Sequence, residues 1–243
     1  MASIALQQVS FKQILTNISV TIAHGSQTAL VGSTGAGKST LLRLLNRLSD
    51  RTAGKIFIDG KEIFEIPVPI LRRQIMLVPQ EVSLLGMTVA EAIRYPLTLR
   101  GFPAPEIQTR FQTWSERLKL DSKLMGRAEV ELSLGQRQWV AIARALIAEP
   151  EVIMLDEPTS ALDRGLAQLL LDTLQALTRS PQPQTVIMVN HQLEQVAGWC
   201  SHVIQLHKGQ LTLSQPADAI DWQDLDRVLK QAIENQTDDD EWD

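Results

Sequence analysis

Gly32-Ser33-Thr34-Gly35-Ala36-Gly37-Lys38-Ser39-Thr40 is the stretch whose reading decides the fold. It fits the pattern G-x-x-x-x-G-K-[ST], with Gly32, Gly37, Lys38 and Ser39 in the fixed places. Such a loop needs a strand before it and a helix after it. Thr28-Ala29-Leu30-Val31 is a short apolar strand, and Leu41, Leu42, Leu44, Leu45 and Leu48 then recur at helical spacing. Glycines let the backbone of residues 32–40 curl so that successive N–H groups point at one anion. The helix N-terminus adds roughly half a positive charge. Lys38 has the reach for the β- and γ-phosphates of a nucleotide, and the Ser39 hydroxyl suits a Mg²⁺ ion. Ser33, Thr34, Gly35, Ala36 and Thr40 complete the expected cradle.

Working outward, apolar strand-like runs alternate with helical stripes, which predicts an α/β fold. Ile18 to Ile22 alternates with period two, and Lys55-Ile56-Phe57-Ile58 enters a turn at Asp59-Gly60. Ile75 to Val78 is a further short run. Residues 152–155 and 186–189 are almost wholly apolar, as strands covered on both faces are. Between them Leu162, Leu166, Leu169, Leu170, Leu174 and Leu177 form a helical stripe. The stretch from about 81 to 149 differs. It is punctuated by Pro96, Pro103 and Pro105, it carries helical patterns over Glu106 to Leu120 and Gln136 to Ala148, and it reads as a helical insertion between two core strands. Asp221 to Glu234 suits a last amphipathic helix with Trp222, Leu225, Val228, Leu229 and Ile233 on one side.

The 243 residues, 44% hydrophobic, suffice for one sizeable core and not for two large domains. No run of 18 apolar residues exists, and Met1 to Ser10 has no basic segment followed by a long apolar one, so neither a membrane span nor a signal peptide is expected. Cys200 is the single cysteine, which rules out an internal disulfide and suits a reducing cytosol. The net charge is −5, and residues 238–243 hold five of the 28 acids. Without them 23 acids meet 23 Lys and Arg, and so neutral a body predicts no nucleic-acid partner. The acidic end is expected to be a solvated, disordered tail.

Asp156 and Glu157 follow the apolar run at 152–155. An acid ending a buried strand beside a phosphate loop is placed to hold Mg²⁺ through its water shell, which assigns Asp156. A second acid directly after it is placed to orient and deprotonate an attacking water, which assigns Glu157.

With Leu132-Ser133-Leu134-Gly135-Gln136 before this pair and Pro158-Thr159-Ser160-Ala161-Leu162-Asp163 after it, residues 1 to about 215 resemble the nucleotide-binding subunit of an ABC ATPase. The resemblance implies a P-loop NTPase (RecA-like) core, an N-terminal antiparallel β region and an inserted helical subdomain. The ATPase domain would span 1–216, with a C-terminal helix and acidic tail over 217–243. Gln80 matches the glutamine that contacts Mg²⁺ and the attacking water, and His191 matches the histidine that contacts the γ-phosphate. Ser133, Gly135 and Gln136 match the signature that binds ATP held by the other protomer. Asp163 matches an aspartate at the dimer interface. The resemblance therefore implies an ATPase that uses ATP and Mg²⁺ and closes head to tail as a homodimer with a nucleotide at each interface. His24, His202 and His207 have no such context and read as structural.

Three departures stand out. Leu134 occupies a place that is usually Gly, Trp139 one that is usually Arg, and the aromatic residue that stacks on adenine is missing, with Phe11 its nearest substitute. Two classes fit the motifs: the motor of a membrane transporter, bound to an integral permease on the cytoplasmic side, or a soluble scaffold of cluster-assembly type. Val82, Leu84 and Leu85, expected at the surface beside Gln80, favour a groove for a permease helix. Leu71-Arg72-Arg73-Gln74, Pro79-Gln80, Ile93-Arg94-Tyr95-Pro96 and the aliphatic signature residue resemble a small subgroup of Fet-type iron-export and aluminium-tolerance ATPases.

Overall fold

The structure, a computed structural model, describes residues 3–240, without the side chains of 232–240. The fold is mixed α/β with two sheets. Strands β1 (Ile4–Phe11), β2 (Leu15–Ile22), β3 (Gln27–Val31), β4 (Ala53–Ile58), β5 (Lys61–Glu62), β6 (Ile75–Val78), β7 (Val152–Asp156), β8 (Thr185–Val189), β9 (His202–His207) and β10 (Gln210–Pro216) divide between them. An antiparallel sheet has the order β2-β1-β4-β5, and a six-stranded sheet has the order β10-β9-β3-β8-β7-β6. In the second sheet β3, β6, β7, β8 and β9 run parallel, and β10 closes one edge antiparallel to β9.

Every residue of β3, β7 and β8 is buried. Their side chains alternate between two cores. Ala29, Val31, Ile153, Leu155, Val186 and Met188 face the helical side, whereas Leu30, Val152, Met154, Ile187 and Val189 pack with the antiparallel sheet. The helices are α1 (Lys38–Leu45), α2 (Val68–Gln74), α3 (Val89–Leu99), α4 (Ala104–Arg117), α5 (Leu134–Leu146), α6 (Arg164–Thr178), α7 (Leu193–Ala197) and α8 (Trp222–Asp240). Helices α3, α4 and α5 fall between β6 and β7 and form the helical subdomain. Parallel strands whose C-terminal ends align put Gly32, Gln80, Glu157 and His191 along one edge, where open α/β sheets carry their ligands.

Several expectations are corrected. Leu84 is fully buried under its own subdomain, and of the anticipated surface leucines only Leu85, 65% exposed, faces outward; Val82 is half-buried. Pro96 lies inside α3 rather than breaking it. It sits in the last turn, where few downstream bonds depend on an undistorted ladder. On α8, Leu225 is buried but Val228 is exposed, because the helix touches the body along a narrower line than its apolar stripe. Helix α8 continues through Asp238, Asp239 and Asp240, where a disordered tail was expected; Glu241, Trp242 and Asp243 lie outside the described residues.

Candidate functional site

The loop between β3 and α1 has the predicted form. Gly32 has φ +151, and a Cβ there would lie 2.3 Å from the Leu206 carbonyl oxygen, so only glycine fits. Helix α1 starts at Gly37 without a side-chain cap, unlike α3, α5 and α6, which carry Thr88, Ser133 and Asp163 as caps. No side chain therefore caps its first N–H groups, which suit an anion. Lys38 is buried and donates from Nζ to the carbonyls of Gly32 at 2.9 Å and Ser33 at 2.8 Å. Burial holds its pKa below the ordinary lysine value, opposed by Glu157 and Asp156. An ammonium at this place in the loop has charge-assisted hydrogen bonds to offer a phosphate.

Asp156 ends β7 and is 5% exposed. Burial raises its pKa, and a hydrogen bond from Ser39 works against that rise. Its Oδ1 is buried without a hydrogen-bond partner. An orphaned carboxylate oxygen beside a serine hydroxyl is a donor set for a hard cation. Among the described residues no three His, Cys, Asp or Glu are gathered as a metal cluster. Mg²⁺ tolerates this, since it takes one or two protein oxygens and completes its shell with waters and substrate phosphates. Ser39 and Asp156 thus fit the ion, whereas the side chain of Gln80 is bonded to Glu157.

Gln80 and His191 meet Glu157 although they lie 77 and 34 positions from it in the chain. The Gln80 side-chain amide donates to Glu157 Oε2 at 3.2 Å, and His191 Nε2 lies 2.7 Å from Glu157 Oε1. Both carboxylate oxygens of Glu157 are engaged. Its backbone has φ +50, a left-handed conformation uncommon for a side-chain-bearing residue, and its N–H extends the β7–β8 ladder by one bond to the Val189 carbonyl at 3.1 Å. Strain of this kind concentrates at functional sites.

The signature residues assemble elsewhere. Ser133 caps α5. Its hydroxyl accepts from the Gln136 N–H at 3.2 Å, and the Gln136 side chain accepts from the Ser133 N–H at 3.0 Å. A Cβ on Gly135 would lie 2.4 Å from the Ala161 carbonyl oxygen, so the start of α5 abuts the loop after Glu157 backbone to backbone. Asp163 caps α6, accepting from the Leu166 N–H at 2.9 Å. Among the described residues none of Ser133, Gly135, Gln136 or Asp163 bonds to the loop at 32–40. One chain therefore holds two half-sites.

The departures have local explanations. Leu134 is 57% exposed beside the Ser133 cap. Trp139 is 5% exposed and donates from Nε1 to the Leu118 carbonyl at 3.1 Å, tying α5 to the end of α4. Phe11 is half-buried at the end of β1, with the Lys12 ammonium 5.1 Å from its ring. Sequence reading missed Thr159, Asn190 and Gln195, buried or half-buried polar residues bonded to one another beside Glu157 and His191. Their only signal was adjacency to the motif residues.

The ABC transporter family model matches residues 15–160. The methionine import ATP-binding protein MetN of Caulobacter vibrioides is 36% identical over 201 residues, covering 81% of this chain and 60% of that protein. The MetN of Wolinella succinogenes is 38% identical over 205 residues, covering 83% and 67%. This chain thus spans about 60% of the length of such relatives. Among solved structures, a bacterial Atm1-family ABC exporter with ATP bound superposes with a TM-score of 0.80 at 30% identity, over 97% of this chain and 42% of that one. A dimeric ATP-binding cassette in a post-hydrolysis state, bound to ADP and phosphate, superposes with a TM-score of 0.80 at 25% identity, over 89% and 100%. These relatives carry methionine-import names, which corrects the resemblance to the iron-export subgroup.

Proposed function

This chain belongs to the ABC transporter family, and we propose that it is the ATP-hydrolysing motor of a membrane transporter, working as a head-to-tail pair. Residues 32–40 bind the phosphates. Ser39, Asp156 and Gln80 would hold Mg²⁺, which would neutralise phosphate charge. Glu157 is the base that orients the attacking water and takes its proton, and His191 aligns the γ-phosphate. Ser133, Gly135 and Gln136 of one protomer cover the nucleotide of the other, with Asp163 at the interface. The observation that carries the reading is Glu157 held through both oxygens by Gln80 and His191, beside the ladder end that presents Asp156.

The proposed partner is an integral permease, and the chain lies on the cytoplasmic side through it. Among the described residues no helix is long and apolar enough to cross a membrane. Two exposed residues, Leu85 and Val130 (93% exposed), support a docking face. The segments that carry them are joined, because Glu129 accepts from the Leu84 N–H at 2.8 Å.

Glu157→Gln keeps the shape and loses the base. It is expected to bind MgATP, to accumulate as a dimer on size exclusion and to turn over at least about a hundredfold slower. Turnover at the wild-type rate would remove Glu157 from the role of base.

A further inference from the structure

Glu157 and His191 stand on loops that leave adjacent strands and diverge at once. Asp156 pairs with Val189 across the ladder, and Glu157 donates one further bond, but from Pro158 and Asn190 onward no ladder holds the two chains together. What joins them, besides the contact of His191 with Glu157 itself, is a closed polar triangle. Asn190, 5% exposed, directly precedes His191; Thr159, 6% exposed, is two residues after Glu157; Gln195 comes from α7. The Asn190 amide donates to Thr159 Oγ1 at 3.2 Å and to Gln195 Oε1 at 3.1 Å, and the Thr159 hydroxyl donates to Gln195 Oε1 at 2.9 Å. Asn190 Oδ1 accepts from the Gln192 N–H at 2.8 Å, and the Gln195 amide donates back to the Gln192 side chain.

The inventory closes. Both amide hydrogens of Asn190 are used, the Thr159 hydroxyl donates once and accepts once, and the Gln195 oxygen accepts twice. Flipping the Gln195 amide would set donor against donor. A fully satisfied buried network defines one geometry for the groups it links. It also lies where the backbone needs holding, since the left-handed φ of Glu157 persists only if its surroundings over-determine it.

We propose that Asn190, Thr159 and Gln195 are positioning residues for ATP hydrolysis. They fix the separation of the two loops and thereby hold Glu157 and His191 in register, without touching the nucleotide. The inference rests on Glu157 being the base. It predicts a split in kinetic parameters, because phosphate binding resides in residues 32–40 on a different loop.

Thr159→Val keeps the volume and removes the hydroxyl. In single-turnover hydrolysis by the purified full chain, its rate is expected to fall at least about tenfold while the KM for MgATP stays within about twofold of wild type. Thr159→Ser, which restores the hydroxyl, is expected to recover most of that loss. If Thr159→Val does not fold, Gln195→Met removes the acceptor from the half-buried corner of the triangle and is expected to lower the rate at least about fivefold at unchanged KM. A Thr159→Val rate within about twofold of wild type overturns the proposal, as does a loss that Thr159→Ser fails to recover or a KM that rises as the rate falls. Glu157→Gln is measured alongside. If it hydrolyses normally, the base assignment has failed; if it is inactive while Thr159→Val is fully active, only the positioning role has failed.

Discussion

Trp139 tests whether the helical subdomain is held by the contact that replaces the usual arginine. Its ring is buried in the helical-side core that also holds Phe111, Trp114, Leu118 and Leu132, and its Nε1 donates to the Leu118 carbonyl at the end of α4. Trp139→Phe keeps most of the ring and strands that carbonyl, at a cost of about 1–3 kcal/mol. Trp139→Ala also opens a cavity, and truncations of this kind cost about 3–5 kcal/mol. Against a total stability of about 5–15 kcal/mol, the Phe variant should fold and the Ala variant should sit near the edge of unfolding. At roughly 2–4 °C per kcal/mol for a chain of this size, a loss of about 2 kcal/mol lowers Tm by about 4–8 °C. Circular dichroism melts of wild type, Trp139→Phe and Trp139→Ala read the two costs separately. If Trp139→Phe loses less than about 0.5 kcal/mol, the indole bond to Leu118 contributes nothing and the reasoning fails.

Lys38→Ala removes charge-assisted contacts to phosphate, each worth roughly 1.5–3 kcal/mol, so MgATP affinity in titration calorimetry is expected to fall at least about tenfold; unchanged affinity would exclude the loop assignment. Asp156→Asn should separate stability from function. Burial raises the folded-state pKa of Asp156 above 3.8, so the folded chain binds the proton more tightly than the unfolded one. Wild-type stability then declines as pH climbs from about 3.8 through the raised value, and the cost is fully present above it. The nucleotide-free variant should melt higher than wild type at pH 7–8, with the gap closing in acid, and Mg²⁺ should no longer add to ATP-induced stabilisation. A lower melting temperature at pH 7–8 would contradict the desolvation argument.

The local patterns carried much of this structure. Residues 28–31, 152–155 and 186–189 read as buried strands because apolar side chains fill both of their faces, and the helix after Ser39 follows from its leucines. Strands β9 and β10 were not read: Gln205 interrupts the apolar run of one, and the other lies at an edge where most of its residues meet solvent. Pro96 misled because a proline in the last turn of a helix breaks little. Leu84 misled because burial depends on what folds over a segment, here the clasp of Glu129 on Ser83 and Leu84. The Glu157–His191–Gln80 meeting was legible only through motif order. The Thr159–Asn190–Gln195 triangle was not legible, since uncharged polar residues announce no partner in sequence.

Helix α5 is fixed at both ends. Its first turn is pressed against the Ala161 carbonyl, with no side chain between, and its last turn runs within five residues into β7, where Arg100 grips the Ala148 carbonyl at 2.7 Å. A rod about 20 Å long, clamped in this way, resists swinging and yields most readily by rolling about its own axis. A roll of about 10° moves the side chains on its surface, about 5–6 Å from the axis, by about 1 Å. Arg144 on α5 donates to the Ser83 carbonyl at 3.0 Å, three residues beyond Gln80. Leu134 at the exposed corner and the strand end where Gln80 reaches Glu157 are thus tied to one helix, like two throws of one crankshaft.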